Sequence, residues 1–260
     1  MTSAIELRDV GKEFVARGRR MLALQSIDVS IAPKEFAAIL GPSGCGKSTL
    51  LNMVAGFDAP TQGRVLAGGV AVTGPDPRRA VVFQEAALFP WYTVFDNTTF
   101  GPKTCGVPAA TYLPRVAAVL EQVGLTGFER HYPAELSGGM KQRVAIARVL
   151  VMEPEMLLMD EPFGSLDAQT RSVMQELLLS VWERSQQTVL FITHDVEEAL
   201  LLADSVSVMT ARPGRIKKRL TVELPRPRSL DVTMSPVFND LKREVLALIR
   251  DESLRVAREG

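Results

Sequence analysis

The apolar positions of the chain form short uninterrupted runs that alternate with stretches of helical spacing. The clearest runs cover residues 36–40, 80–83, 156–159 and 189–192. Such runs are typical of strands buried on both faces of a parallel sheet. The first run is followed by helical spacing over residues 47–55, which stops at Gly56, as many helices do. The alternation predicts an α/β fold with a mostly parallel central sheet.

Residues from about 86 to 152 show a different pattern, in which proline and glycine repeatedly break the helical spacing. We interpret this stretch as a helical subdomain inserted into the sheet domain. Two late strands are predicted at residues 205–209 and 216–224, and after a linker the apolar residues recur as in an amphipathic helix. We therefore expect a single domain over residues 1–260, with the helical subdomain at about 86–152 and the linker and terminal helix at about 225–260.

Composition and charge narrow the functional classes. The chain has 260 residues, 46% of them hydrophobic, so it can bury a sizeable core. Lys+Arg and Asp+Glu both number 30, and this balance gives no bulk attraction for nucleic acid or an anionic membrane. The basic cluster at residues 212–218 is interpreted as a solvated hairpin. No signal peptide is visible and no apolar stretch approaches the ~20 residues that span a bilayer, so a partner is expected to hold the protein at any membrane.

A glycine-rich, phosphate-binding loop is predicted directly after the first buried strand. It has the pattern of glycine, four residues, glycine, lysine and serine, with a strand before it and a helix after it; the alternative is an ordinary glycine-rich turn before a helix. Its glycines let backbone N–H groups face an anion, and the helix start adds partial positive charge. Lys47 can reach the β- and γ-phosphates of a nucleotide, and Ser48 can ligate Mg²⁺. The loop residues expected to bind the nucleotide are Gly41, Pro42, Ser43, Gly44, Cys45, Gly46, Lys47, Ser48 and Thr49.

Two adjacent acids follow the apolar run at residues 156–159. A carboxylate at the end of a parallel strand faces the ligand crevice, so Asp160 is expected to hold Mg²⁺ through water. Glu161 is not needed for the metal, and we expect it to polarise the attacking water as a general base. The alternative is that both acids cap the helix that starts near Ala168.

The two cysteines, Cys45 and Cys105, make no disulfide framework and fit a reducing cytoplasm. Cys45 lies inside the phosphate loop beside Lys47, where N–H donors and positive charge would lower a thiol pKa. We expect a reactive thiol that bound nucleotide would protect, and the alternative is a small, inert loop residue.

A second glycine-rich helix start is formed by Ser137, Gly138 and Gly139. Taken alone it indicates only a helix that Ser137 caps. Together with the phosphate loop, the acid pair and the polar residues 141–143, it resembles the signature of the ATP-binding cassette (ABC) ATPases. The resemblance covers about residues 4–225. It implies a P-loop NTPase cassette with a mostly parallel central sheet, an N-terminal antiparallel β region and an inserted helical subdomain.

The resemblance also implies roles for single residues. Ser137, Gly138 and Gly139 would bind the γ-phosphate held by a second copy of the chain, so that two copies sandwich two MgATP. Met140 stands where the family commonly has glutamine, so a side-chain hydrogen bond from that position is lost. Further matches are Gln84, which senses Mg²⁺ and the lytic water, Asp167, in the segment that crosses the dimer interface, and His194, which contacts the γ-phosphate.

These matches give the expected site. The catalytic residues would be Glu161, His194, Lys47 and Gln84, and the Mg²⁺ ligands would be Ser48, Gln84 and Asp160. Phe14 matches the aromatic residue that stacks on adenine, where tyrosine is common, but it could equally be a core residue of an N-terminal strand.

An aromatic segment just after Gln84 is the clue to the subfamily. It contains Leu88, Phe89, Trp91 and Tyr92. These side chains form either a buried satellite cluster or a hydrophobic groove for a helix of a membrane subunit. This segment and residues 160–171 resemble the ATPase subunits of nitrate, sulfonate and taurine importers.

The resemblance therefore implies an ATP-hydrolysing importer subunit at the cytoplasmic face of the inner membrane. Its partners would be a second copy, integral permease subunits docked near Trp91 and, indirectly, a solute-binding protein, with no nucleic acid. The alternatives are a soluble ABC ATPase, a P-loop kinase and a non-catalytic ATP-binding scaffold. A kinase would not need Ser137 with its glycines, and intact Glu161 and His194 speak against the scaffold.

Overall fold

A computed structural model describes residues 5–16 and 18–259, so the ends of the predicted domain, residues 1–4 and 260, lie outside the described residues. In chain order the strands are β1 (Ile5–Ala16), β2 (Arg19–Ile31), β3 (Phe36–Leu40), β4 (Gln62–Ala67), β5 (Val70–Ala71), β6 (Arg79–Val82), β7 (Met156–Asp160), β8 (Thr188–Thr193), β9 (Ser205–Met209) and β10 (Ile216–Thr221). The helices are α1 (Lys47–Ala55), α2 (Val94–Thr104), α3 (Ala109–Gln122), α4 (Gly138–Leu150), α5 (Ala168–Ser185), α6 (Val196–Leu202) and α7 (Pro236–Glu259). Short 3₁₀ helices lie at Pro133–Glu135 and Leu230–Met234.

Two sheets organise these elements. The larger sheet has the strand order β10–β9–β3–β8–β7–β6, and all neighbours in it are parallel except β9 and β10. The smaller sheet has the order β2–β1–β4–β5 and is antiparallel throughout. The predicted α/β fold, with a mostly parallel central sheet and an N-terminal antiparallel region, is confirmed.

Most predicted elements lie where the apolar pattern indicated. Strand β3 and helix α1 have the predicted bounds, and α7 occupies the region of the predicted terminal helix. The last strand was expected to reach residue 224, but β10 ends at Thr221. Its ladder partner β9 begins at Ser205, opposite Thr221, and the Val222 amide makes a further backbone hydrogen bond to the Asp204 carbonyl at 2.8 Å, just outside both strands.

The central sheet separates two hydrophobic clusters. Along β3 the buried residues alternate: Ala38 and Leu40 belong to the cluster on the side of α4 and α5, and Ala37 and Ile39 to the cluster shared with α1 and the smaller sheet. Successive side chains of a strand point to opposite faces, so both faces of this sheet are covered. This explains why the sequence of β3 is apolar without alternation.

Helices α2, α3 and α4 lie within the stretch interpreted as an inserted subdomain, and that interpretation stays a prediction. In the part of the chain that the structure describes, no helix is both long enough and apolar enough to cross a bilayer.

The fold brings three strand ends together. Strands β3, β8 and β7 are parallel neighbours, so their carboxyl ends lie at one edge of the sheet. The phosphate loop follows β3, His194 follows β8, and Glu161 follows β7. Residues that are far apart in sequence therefore meet in one crevice, which is where ligands bind in open parallel sheets.

Candidate functional site

The loop between β3 and α1 depends on glycines whose backbone conformation other residues rarely adopt. Gly44 (φ 77) and Gly46 (φ 102) have left-handed backbones. A Cβ on Gly46 would lie 2.6 Å from Leu24 Cδ2. Gly46 is also the N-cap of α1 and makes no side-chain capping hydrogen bond, which leaves the first amides of the helix uncovered. The loop is thus a helix start with available N–H donors, an arrangement that binds anions.

Lys47 is a buried cation at this helix start, with 5% of its surface exposed. Its Nζ donates hydrogen bonds to the carbonyl oxygens of Gly41 at 2.9 Å and Pro42 at 3.3 Å. The nearest carboxylate is Oε1 of Glu161, 3.6 Å away. A buried ammonium held mainly by neutral carbonyls retains positive charge that a phosphate group can neutralise.

Ser48 and Asp160 come together at the end of β7. The Ser48 hydroxyl lies 3.1 Å from Oδ1 of Asp160. Burial raises the pKa of the Asp160 carboxyl, and the hydrogen bond from Ser48 partly offsets this rise. A hydroxyl and a carboxylate at this separation are the hard oxygen ligands that Mg²⁺ prefers, so the residues fit a magnesium ion beside bound phosphate.

Glu161 has the strained backbone that is common at functional sites. Its φ is 45°, in the left-handed region that residues other than glycine rarely adopt. Its amide donates a hydrogen bond to the carbonyl of Ile192 at 2.9 Å, which fixes the turn against β8. Its carboxylate Oε2 lies 2.7 Å from Nδ1 of His194, while Oε1 faces Lys47. The fold thus holds this carboxylate between two nitrogen donors at the edge of the crevice.

The alternative role of the acid pair, as caps of the following helix, is wrong. The N-cap of α5 is Asp167, whose carboxylate accepts a hydrogen bond from the Thr170 amide at 3.0 Å. Asp160 and Glu161 are therefore not consumed by helix capping and remain available in the crevice.

The phosphate loop opens into a cleft of about 410 Å³. We call this the phosphate-loop cleft; Lys47, Ser48 and Thr49 line it together with Phe14, Gln84 and Glu161. Phe14 is half-buried and borders the cleft, so the alternative that it is a core residue is wrong, while its stacking on adenine stays a prediction. Gln84 follows β6, and its Nε2 lies close to the backbone of Gly164, which follows Glu161.

The expectation that Cys45 is a reactive thiol is wrong. Its side chain is 1% exposed, and burial raises the pKa of the thiol although the charge of Lys47 acts to lower it. The carbonyl of Cys45 lies against Gly214, on the loop between β9 and β10, where a Cβ would approach it to 2.1 Å. The local sequence shows the neighbouring lysine but not the hydrophobic cluster in which the thiol is buried. Cys105 is the exposed cysteine.

Ser137, Gly138 and Gly139 lie outside the phosphate-loop cleft. Ser137 caps α4, and its Oγ accepts a hydrogen bond from the Met140 amide at 3.3 Å. Gly139 packs on α5, since a Cβ there would lie 2.5 Å from Thr170 Cγ2. Ser137, Gly139 and Met140 line a separate groove of about 400 Å³ that shares no residue with the cleft. Within one copy, the helix start at Ser137 therefore does not border the phosphate-loop cleft. This separation is what we expect if the two helix starts meet only between two copies.

The aromatic segment forms a surface cluster. Phe89 packs on three rings, with centroid distances of 5.8 Å to Trp91, 5.5 Å to Tyr92 and 4.6 Å to Phe100. Trp91 is 67% exposed, so the alternative of a buried satellite cluster is wrong for this residue. Leu88 is partly buried against the core. We call Phe89, Trp91, Tyr92 and Phe100 the aromatic cluster.

Two residues that the sequence did not single out hold this segment. Asn97 is fully buried; its Oδ1 accepts from the Phe89 amide, and its Nδ2 lies within hydrogen-bonding distance of the carbonyls of Phe89, Tyr92 and Thr93. Arg148, on α4, donates to the carbonyls of Ala86 at 3.2 Å and Ala87 at 2.9 Å. Burial lowers the pKa of Arg148. An asparagine after an aromatic run and an arginine late in a helix are too common to have been recognised in advance.

Comparisons with known proteins agree with this geometry. The family model described as ABC transporter matches residues 24–164. An uncharacterized ABC transporter ATP-binding protein of Methanocaldococcus jannaschii is 46% identical over 98% of this chain and 94% of its own length. The nitrate import ATP-binding protein of Synechocystis sp. is 45% identical over 95% of both chains. The taurine import ATP-binding protein of Jannaschia sp. is 44% identical over 96% of this chain and 95% of its own.

Solved structures with the same fold include a dimeric post-hydrolysis state of an ATP-binding cassette bound to ADP and Pi. It has a TM-score of 0.73 and 28% identity, and the match covers 85% of this chain and 100% of that one. A part of the cbiONQ ABC transporter complex of Clostridium perfringens has a TM-score of 0.77 and 28% identity, over 100% of this chain and 98% of that one.

Proposed function

Because the chain belongs to the ABC transporter family, we propose that it is the ATP-hydrolysing subunit of an importer for a small solute such as nitrate, a sulfonate or taurine. The assignment of ATP hydrolysis rests on one observation: the Glu161 carboxylate lies between His194 and Lys47 beside a phosphate loop. Import is supported by relatives that carry nitrate, taurine and sulfonate import in their names and match nearly full length.

Each residue of the cleft has its own role in ATP binding or hydrolysis. The loop amides and Lys47 bind the phosphates of ATP, and Phe14 stacks on the adenine. Glu161 polarises the water that attacks the γ-phosphate, and ADP and phosphate are the products. Lys47 and His194 offset the charge of the phosphoryl group during transfer. Ser48, Asp160 and Gln84 would hold Mg²⁺, which would supply neutralisation of phosphate charge.

The complete site needs two copies of the chain. Ser137 and Gly138 are exposed at the start of α4, and together with Gly139 they bind the γ-phosphate held in the cleft of the other copy. Asp167, exposed at the start of α5, lies at the interface between copies. ADP lacks the γ-phosphate, so only ATP closes the dimer fully.

The membrane partners are permease subunits that dock on the aromatic cluster. A helix from a permease inserts beside Trp91, whose exposed ring is an apolar anchor of the kind found in helix-in-groove interfaces. The whole chain acts as a single cassette domain, with the helical subdomain at about 86–152 and the tail at about 225–260. It is peripheral, at the cytoplasmic face of the inner membrane, and a solute-binding protein supplies the permease from the other side.

The test is the Glu161→Gln substitution, which keeps the size of the side chain but removes the base. Turnover should fall by roughly 10²–10⁴-fold, as for loss of a general base. ATP binding should remain, and the protein should elute as a dimer in size-exclusion runs with MgATP and as a monomer without it. Glu176→Gln, at an exposed position of α5, is the matched control and should behave as wild type.

Two outcomes would contradict the proposal separately. If Glu161→Gln keeps more than about half of the wild-type turnover, Glu161 is not the base. If the wild-type chain hydrolyses ATP but no integral membrane protein co-purifies with it from its own host, the importer assignment fails while the ATPase assignment stands.

A further inference from the structure

The loop between β9 and β10, residues 210–215, packs directly on the phosphate-loop cleft. Its Gly214 joins β2: the Gly214 amide donates to the Ala23 carbonyl at 2.8 Å, and its carbonyl accepts from Gln25 N at 3.0 Å. A Cβ on Gly214 would lie 2.1 Å from the carbonyl oxygen of Cys45. The loop is therefore fixed against the phosphate loop by backbone contacts, and we call it the hairpin loop.

Arg212 extends from the hairpin loop into the cleft. Its Nη2 donates a hydrogen bond to the carbonyl of Gly44 at 3.1 Å, and its Nη1 lies 2.9 Å from Sδ of Met21. Arg212 lines the cleft with the phosphate loop. The basic cluster was interpreted as a solvated hairpin; Arg212 is exposed, and its guanidinium in addition contacts the phosphate loop.

The guanidinium of Arg212 differs in its partners from the three cations at the start of β10, and Arg215 on the same loop bonds the neutral Gln25 side chain. Lys217, Lys218 and Arg219 each pair with a carboxylate, at 2.8, 2.6 and 2.6 Å. Among the residues that the structure describes, no carboxylate forms an ion pair with Arg212. Its positive charge is thus uncompensated at the wall of a cleft built for an anion, where it adds to the charge of Lys47.

We propose that Arg212 is a nucleotide-binding residue whose guanidinium contacts the ribose and α-phosphate of ATP and ADP. The inference rests on the proposed function, which places adenine at Phe14 and the terminal phosphates in the loop. Met21 is the cross-strand neighbour of Phe14, and Gly44 belongs to the loop. A guanidinium that reaches both spans the middle of the nucleotide, and its planar fork suits phosphate oxygens better than an ammonium does.

Helix α7 positions this loop. Glu252 of α7 is 2% exposed, and its Oε2 accepts a hydrogen bond from the Ala211 amide at 3.3 Å, next to Arg212 in the chain. Its Oε1 pairs with Lys217 Nζ at 2.8 Å, beyond the other end of the loop. The carboxylate therefore ties both sides of the hairpin loop to α7, and Glu252 is a positioning residue for Arg212.

The proposal predicts how the loss of Arg212 affects the affinities for ADP and ATP. The ribose and the α-phosphate occur in both ADP and ATP, so loss of Arg212 should weaken both nucleotides by the same factor. A residue that contacts the γ-phosphate would instead change the ratio of the two affinities. The ratio therefore separates Arg212 from Lys47 and His194.

The experiment is calorimetric titration of the full chain with MgADP and, on the Glu161→Gln background, with MgATP. Arg212→Gln should raise both dissociation constants by about tenfold, the lower range for a charged hydrogen bond. Arg212→Lys should have dissociation constants between those of the wild type and of Arg212→Gln, because lysine keeps the positive charge but lacks the planar guanidinium. Arg215→Gln is the matched control: its guanidinium bonds Gln25 on the same loop and does not line the cleft, so binding should not change.

Each outcome bears on one claim. If wild-type protein does not bind MgADP, the proposed function fails; if it binds and Arg212→Gln binds within twofold of it, the inference about Arg212 fails. A loss confined to MgATP would also overturn it. Melting temperatures without nucleotide should match among the Arg212 variants and show that each is folded.

The role of Glu252 is tested by a double-mutant cycle. Glu252→Gln should weaken MgADP by about threefold, and the double variant with Arg212→Gln should bind no worse than Arg212→Gln alone, since residues that act through one another are not additive. Additive losses would show that Glu252 acts on the site by another route, and unchanged binding in Glu252→Gln would remove it as a positioning residue.

Discussion

Trp91 and Trp182 offer a direct test of whether the aromatic cluster is a docking surface. Trp91 is 67% exposed, while Trp182 is 4% exposed and lies edge-on to Phe36, with ring centroids 5.8 Å apart. Trp182 also donates its indole N–H to the carbonyl of Gln187 at 2.8 Å. The same substitution to alanine should therefore have opposite consequences at the two positions.

The magnitudes follow from burial. Truncation of a buried tryptophan costs roughly 3–5 kcal/mol, and the lost hydrogen bond of Trp182 adds to this. Trp91 buries only about one third of its surface, so proportional scaling gives roughly 1–1.7 kcal/mol, and no closed cavity remains. For a domain of this size 1 kcal/mol shifts the melting temperature by about 2–4 °C. Trp91→Ala should thus lower it by about 3 °C and Trp182→Ala by about 10 °C or more.

For binding to the permease, Trp91→Ala should have a larger effect than Trp182→Ala. A large apolar anchor contributes about 2 kcal/mol or more, so Trp91→Ala should weaken binding to the permease by about 30-fold or more. The assays are thermal melts and ATPase rates of the isolated subunit, and pull-down of the subunit with permease in detergent. A melt for Trp91→Ala that drops by about 10 °C, or an unchanged pull-down with a normal melt, would refute the docking role.

Three further predictions concern the signature, the cysteines and a buried acid. Met140→Gln should retain ATPase activity, whereas Ser137→Arg should lose it and keep nucleotide binding, because it fills the helix start; equal activity of the two variants contradicts the shared site. A maleimide should label Cys105 in the folded protein and Cys45 only after unfolding, so rapid labelling of a Cys105→Ser variant would contradict the burial of Cys45. Burial raises the pKa of Glu198 above 4.5, so its stabilising contribution is present below that pH and is lost as the pH rises through the folded value. Glu198→Gln should therefore raise the melting temperature more at pH 8 than at pH 5, and an equal change at both would be inconsistent with this sign.

The central fold and the phosphate loop were predictable because each depends on local patterns. A strand such as β3, apolar at every position, must be covered on both faces, and a helix after glycine and lysine starts where its amides are free. Asp160 and Glu161 were predictable for the same reason, since a parallel strand delivers its last residues to the crevice.

The remaining features depend on contacts between distant parts of the chain. Arg212 bonds Gly44 across 168 residues, and nothing near Arg212 in sequence distinguishes it from the cations that follow, which pair with carboxylates. The thiol of Cys45 is buried in the hydrophobic cluster between the central sheet and α1, which is why a favourable local setting for a thiolate did not produce one. The exposure of Trp91 was left open because aromatic composition describes a core and a docking surface equally well.

The position of helix α4 has a consequence for how two copies would communicate. Ser137 caps the start of α4. Eleven residues later, Arg148 donates hydrogen bonds to the carbonyls of Ala86 and Ala87, in the segment that leads to the aromatic cluster. At 1.5 Å per residue Ser137 and Arg148 are about 16 Å apart along the helix.

Under the proposed function, Ser137 serves the nucleotide of the opposite copy, so a displacement that a permease imposes on one aromatic cluster is delivered to the neighbour's phosphate site. Each permease contact is then coupled to the nucleotide bound by the opposite copy. In a mixed dimer with one damaged aromatic cluster, the nucleotide that stops responding to transport would be the one bound by the undamaged copy.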